Sequence, residues 1–195
     1  MSRLASLLGR AVALTVVLLG LCGVVYPAMV LIAAGAAFPA QSHGSLVRDA
    51  NGRVVGSALL GQGFTRPEYF HGRRSAVAYD AGNSGGSNLG PSNPVLADSV
   101  RVAAARIRAE NGVSPAAIVP ADLVTASASG LDPDISPASA TLQVGRIARA
   151  RGLTAAAVAR LVDAHTTAPT LGVFGEPRVN VLRVNLALDS ASTGH

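Results

Sequence analysis

Between Arg10 and Arg48 the chain carries no Asp, Glu, Lys or Arg, and from Ala11 to about Gly35 it is almost wholly aliphatic. A helix rises about 1.5 Å per residue, so roughly 20 apolar residues match a hydrocarbon layer of about 30 Å. The run reads as a membrane-spanning helix. The alternative is a cleaved signal peptide: Arg3 and Arg10 form a basic leader, and Ala34-Gly35-Ala36 has the small-x-small pattern of a cleavage site. Signal h-regions span about 7 to 15 residues, and this run is longer, which favours a retained anchor. Pro27 removes one helical hydrogen bond and predicts a bend, which a packing partner would cover. The chain divides into a short N-terminal cytoplasmic segment (1–10), a transmembrane helix (11–35) and an extramembrane domain (36–195). Arg3, Arg10 and the amino terminus on the short side, set against Arg48 and Arg53 on the long side, lean towards a cytoplasmic N-terminus, leaving the domain on the extracytoplasmic side.

Composition narrows the chemistry. Hydrophobic residues make up 49% and charged residues only 14%, as expected of a chain partly in lipid. The formal charge is +5, and all 16 basic residues are arginine. With the arginines scattered and aromatics at 4%, there is no base-stacking platform beside a basic groove, which argues against nucleic acid. The glycine-rich stretch "SGGSNLGPSNP" (84–94) has no lysine after its last glycine, and a chain without lysine has no Walker-type phosphate loop.

Turn and cap residues predict the elements of the domain. Asn51-Gly52, flanked by apolar β-formers, predicts a tight β-hairpin. Asn93-Pro94, Ser114-Pro115 and Ser136-Pro137 each place a capping residue before a proline at the first helical position. The first helix is expected to end near Asn111-Gly112 and the third near Arg151-Gly152. Thr154 is expected to cap a further helix running to about His165, forming a helical hairpin with the one before it. The stretch "RVNVLRVNLALD" alternates, with Leu182, Val184, Leu186 and Leu188 on one face, and predicts a half-buried strand. The order implies an α+β domain with helices packed on one face of a small sheet.

No self-sufficient active site is legible. His43, His71, His165 and His195 lack zinc-type spacing, and the single cysteine, Cys22, lies in the apolar run. Asp132 and Asp134 in "GLDPDISP" fit turn chemistry better than a catalytic pair, and "SASG" (127–130) lacks the G-x-S-x-G elbow.

Several longer blocks are more specific. Tyr26-Pro27, "VVGSALLGQGF", "YFHGRRSA", "SGGSNLGPSNP", "VPADLVTASASGLDPDISPASA" and "LGVFGEPRVNVLRVNLALD" cover nearly all of the chain after its first twenty residues, and with them it resembles the KdpC family, the C subunit of the bacterial potassium-importing Kdp P-type ATPase. Ala128 and Asp134 depart from the usual family pattern. The resemblance implies a single-span subunit of the bacterial plasma membrane with no cofactor of its own, in a complex that binds ATP and K+. Its implied partners are a channel-like potassium-binding subunit, a phosphorylated ATPase subunit and a small helical peptide, besides membrane lipid. It implies either a rise in the ATP affinity of the pump subunit or a cap over the potassium entrance. For the first role, Ser127, Ser129, Gly130 and Ser136 are candidate nucleotide contacts, since N–H groups before a helix start can meet phosphate. For docking, or for facing the ion with uncharged oxygens, the candidates are Ser87, Asn88, Gly90, Ser92 and Asn93. A membrane-tethered module with a small ligand of its own is the alternative.

Overall fold

A computed structural model describes residues 2–49 and 51–192, in two compact units that divide between Leu46 and Val47. In the first unit, α1 (Ser2–Gly20) runs through a five-residue π turn (Leu21–Val25) into α2 (Tyr26–Ala37), followed by the short α3 (Pro39–Ser42). Where a bend is expected at Pro27, the structure has this π turn. Pro27 has no N–H, and its ring crowds the carbonyl four residues earlier. One wider turn, closed by the Tyr26 N–H on the Leu21 carbonyl, lets the chain stay helical through the proline. Arg3–Ala37 thus forms one apolar helical stretch of 35 residues, about 50 Å long and sufficient to cross a membrane. Leu14, Val17, Leu31 and Ile32 are exposed around its circumference, as in a helix whose solvent is lipid. Thr15 donates its hydroxyl to the Ala11 carbonyl, so its polar group is satisfied within the helix.

The second unit opens with a two-stranded sheet, β1 (Leu46–Arg48) and β2 (Val54–Ser57). The hairpin forms, but its turn is wider than the expected two residues. The Asp49 carboxylate accepts the N–H groups of Asn51 and Arg53, while Gly52 takes the left-handed conformation. Helix α4 (Pro94–Asn111) starts at the Asn93 cap, and α5 (Ala121–Val124) follows. Then come β3 (Asp134–Ile135), α6 (Pro137–Arg151), α7 (Ala155–Ala164), β4 (Thr166–Thr167), β5 (Arg178–Asn180) and α8 (Val181–Ser192). Ser136 and Thr154 cap α6 and α7 as expected, and Gly112 and Gly152 end α4 and α6 in left-handed geometry. The three short strands form an antiparallel sheet in the order β3-β5-β4, with Ile135 and Thr166 both opposite Val179. The domain is α+β.

Two expectations fail. Ser114-Pro115 starts only a turn, closed by the Ala117 N–H on the Ser114 carbonyl. Pro120 follows too soon, because the residue before a proline is disfavoured in helical geometry. The expected strand over 178–189 is mostly helix. Only Arg178–Asn180 pairs in the sheet, and the Asn180 side chain then accepts the Arg183 N–H and starts α8. Val181, Leu182, Val184, Asn185 and Leu188 are buried at helical spacing. Val184 and Leu188 lie on one face in either period, which is why the alternation misleads.

Between residues 58 and 93 the chain has no helix or strand, and only Gly61 and Phe70 of it are buried. A loop this long in a compact domain needs partners for its backbone. Buried side chains of α6 and α8 supply them to residues 67–71. Arg146 donates from Nη1 to the Pro67 and Tyr69 carbonyls, from Nη2 to Gln143 Oε1 and from Nε to Asn111 Oδ1. Gln143 takes the His71 N–H at 2.8 Å and donates to the His71 carbonyl at 3.1 Å. Asn185 does the same for Phe70, at 2.8 and 3.0 Å. The strap is paired as a strand would be, and Phe70 is thereby set in the main core with Ile135, Ile147, Val158, Val179 and Leu188. Replacing Arg146 with alanine would leave several buried acceptors without donors. We expect Arg146→Ala to cost roughly 3 kcal/mol in chemical unfolding of the micelle-embedded chain, with faster exchange at the Phe70 and His71 amides. A loss below about 1 kcal/mol would show that the strap is held by other contacts.

Candidate functional site

The two polar stretches singled out in the sequence meet in space. The Gly85 N–H and the Ser84 hydroxyl both donate to the Ser129 carbonyl, at 2.9 and 3.0 Å. Gly86 lies against the backbone of Ala128, and a Cβ at Gly130 would fall 2.5 Å from Val77 and 2.7 Å from the Gly85 carbonyl. Gly130 also has a φ of +69°, so both space and backbone call for glycine there. Beyond this contact, Ser87, Asn88, Gly90 and Ser92 are exposed, and Asn88 is itself left-handed. The side chains of Ser87, Asn88 and Ser92 make no hydrogen bond to another described residue. Asn93 is occupied in capping α4 through the Val95 N–H. The loop is a platform held from below and polar on top.

Three of the four candidates for phosphate contact, Ser127, Gly130 and Ser136, have their N–H groups engaged within the chain. The Ser127 N–H donates to the Arg74 carbonyl, that of Gly130 to the Ser127 carbonyl and that of Leu131 to Ser129 Oγ. Ser127 and Gly130 are buried. Ser136 lies apart from the other three, at the start of α6. There the Asp122 carboxylate accepts the Ser136 N–H at 2.8 Å and the hydroxyls of Ser136 and Ser139. The helix start thus holds an anion from its own chain.

Sequence reasoning passed over a cationic cleft of ≈ 290 Å³ in which Arg73, Arg74, Arg106, His71 and Tyr79 take part. The strap supplies His71 to Arg74 and α4 supplies Arg106 and Glu110. Burial, then the charge of Arg146, holds the His71 imidazole below its ordinary value, while Arg66 and Glu110 act the other way. His71 Nε2 lies 3.0 Å from the Arg66 carbonyl, and Nδ1 is 3.9 Å from Glu110. Arg73 is paired with Asp132 at 2.9 Å. Asp132 also accepts the Asp134 N–H, and Asp134 is bound by Asn180 and Arg178, so both carboxylates brace the turn before β3. Burial raises the Asp134 carboxyl above its ordinary value. His43 and His165 bond to nearby carbonyls, and His195 lies outside the described residues.

An apolar arm is a second feature that pattern reading missed. Between β4 and β5, Thr170 and Phe174 exchange backbone hydrogen bonds at 2.8 and 2.9 Å and close a small loop with Leu171, Gly172 and Gly175 in positive φ. Leu171, Val173 and Phe174 are 85%, 78% and 66% exposed. The only available signal was three large apolar residues, Leu171, Val173 and Phe174, interleaved with the turn glycines Gly172 and Gly175.

A family model described as the K+-transporting ATPase, c chain (KdpC), matches residues 8–190. The chain is similar to the potassium-transporting ATPase KdpC subunit of Burkholderia cenocepacia, with 55% identity over 193 residues, covering 97% of this chain and 99% of the relative. The corresponding subunit of Gemmatimonas aurantiaca is 56% identical over 185 residues, 93% of this chain and 92% of the relative.

His71 gives the domain a pH dependence of defined sign. Its folded-state value is lowered, so in acid the unfolded chain binds the proton more readily than the folded one. The stability is present above the ordinary value of about 6.5 and is lost as pH falls from there towards the folded value. Unfolding curves between about pH 7.5 and about 5.5 should show a decline in the wild type that His71→Gln reduces. Equal slopes for the two proteins would contradict this.

Proposed function

Because the chain belongs to the KdpC family, the c chain of the K+-transporting ATPase, we propose that it acts as a non-catalytic, membrane-anchored subunit that stabilises the assembled pump by docking. Its partners are the other Kdp subunits: the channel-like potassium-binding subunit, the P-type ATPase subunit and the small helical peptide. ATP and K+ are bound by the complex. The observation that carries the docking reading is the apolar arm. Three large side chains stand in solvent on a loop whose Thr170 and Phe174 backbone groups are already paired. Clustered exposed apolar groups mark protein contact surfaces, and a preformed loop loses little entropy on binding. The polar platform at 84–93 offers a second, uncharged surface.

Between the two finer roles, the geometry supports a cap over the potassium entrance better than an effect on ATP affinity. The N–H groups of Ser127, Gly130 and Ser136 are engaged in the chain's own turns, and α6 starts on Asp122. Arg3, Arg10 and the amino terminus before the apolar run, set against Arg48 and Arg53 after it, favour a domain outside the plasma membrane, away from cytoplasmic ATP.

Two measurements test these readings. Leu171→Ser with Phe174→Ser should leave the unfolding curve of the chain nearly unchanged and reduce its recovery with the pump subunits by about tenfold, a loss of roughly 1.4 kcal/mol in association. Unchanged recovery would remove the arm from the interface. For orientation, Ser190→Cys with Cys22→Ser should be labelled by an impermeant thiol reagent on intact cells. Protection until the cells are broken would place the domain inside and restore the ATP role.

A further inference from the structure

We propose that the cleft formed by Arg73, Arg74 and Arg106 binds a phosphate group, with any apolar substituent of that phosphate lying in the adjoining groove beside Val95 and Val102. The two hollows are neighbours: Arg74 and Arg106 line both the ≈ 290 Å³ cleft and a ≈ 590 Å³ groove along α4. The cleft is near the lower bound of about 300 Å³ for small-molecule sites, which suits a headgroup. The groove is flanked by exposed valines, which suits an apolar extension.

Charge is the first observation. Three guanidinium groups face one lining carboxylate, Glu110. Arg74 donates to the neutral oxygens of Ser99 and Val124 and has no carboxylate within ion-pair distance among the described residues. Arg106 is only 3.6 Å from Glu110 and 60% exposed, so that pairing is weak. Arg73 is matched to Asp132, yet its Nε is a buried donor with no hydrogen-bond partner among the described residues. A buried donor of this kind calls for an acceptor. Guanidinium groups converging on one hollow repel one another, and a tetrahedral oxyanion can accept from several of them at once.

Construction is the second observation. Ala78 and Tyr79, consecutive and neither of them glycine, have φ of 53° and 59°. Such backbone is costly and persists only where its surroundings hold it. Ser75 Oγ accepts the Val77 and Tyr79 N–H groups, and the Tyr79 hydroxyl donates to the Arg73 carbonyl. A Cβ on Gly72 would stand 3.3 Å from that hydroxyl. The strained turn seats Tyr79 as a wall of the cleft and ties it to Arg73. Ser75, with both its acceptor bonds taken by N–H groups, retains its hydroxyl proton for donation.

The test uses the full chain in detergent micelles, with orthophosphate as probe and ionic strength held constant with chloride. Calorimetry should show saturable binding. Arg106→Gln should weaken it by about fivefold or more, whereas Arg101→Gln, at an exposed α4 arginine paired with Asp98, should stay within about twofold. Phosphate should also raise the titration midpoint of His71, whose charged neighbours are Arg146, Glu110 and Arg106. A second arm separates the sources of the phosphate. In lipid nanodiscs containing phosphatidylglycerol, loss of orthophosphate binding that persists in phosphatidylcholine discs would identify a lipid headgroup; retention in both would identify a free anion. Absence of saturable binding in micelles, or equal weakening by both substitutions, would overturn the proposal.

Discussion

The helix-and-sheet domain depends on one buried guanidinium. Arg146 sits in the interior of α6 with neutral partners: two strap carbonyls, the Gln143 amide and the Asn111 amide. Burial pulls its affinity for the proton below the usual arginine value, with Glu110 acting against this. Arginine tolerates such a position because its charge persists and its donors are arranged in a rigid fork. A hydrophobic residue there would fill the space but leave the strap carbonyls unsatisfied. From this clamp follow the placement of Phe70 in the core, of His71 above α4 and of Arg73 and Arg74 at the cleft.

The same principle explains why a domain with so little regular sheet is ordered. Its strands have two to four residues each, and the segment from 58 to 93 has neither helix nor strand. Side chains take the place of a ladder. Gln143 and Asn185 each pair with both backbone groups of one strap residue, as a neighbouring strand would. Gly85, Ser84 and Ser129 join the glycine-rich loop to the turn before β3 in a similar way. The apolar N-terminal helix, long enough to cross a membrane, solves the opposite problem: it keeps its hydrogen bonds to itself and passes Pro27 through a π turn.

Local chemistry was legible in the sequence wherever a residue acts on its neighbours. Asn93, Ser136 and Thr154 cap the helices expected of them, and Gly112 and Gly152 end two. The apolar run reads directly as a helix long enough to span a membrane. Misreadings came where two periods share residues, as at Val184 and Leu188, or where a later proline cancels a start signal, as at Ser114-Pro115. The cleft was illegible for another reason. Arg73 and Arg106 are distant in sequence, and the Arg146–strap contact that sets the first of them is a tertiary bond between uncharged groups and one arginine. The apolar arm was illegible because sequence pattern does not tell exposed apolar residues from buried ones, and Leu171, Val173 and Phe174 stand in solvent.

Docking through that arm is the central claim, and site-specific photo-crosslinking tests it most directly. A photoreactive amino acid at Val173, compared with one at the exposed Thr141 on α6, would be activated in cells expressing all the subunits. The account predicts a discrete crosslink from position 173 to another Kdp subunit. Crosslinks to another subunit from 141 but none from 173 would contradict it, and would move the interface to a different face of the domain.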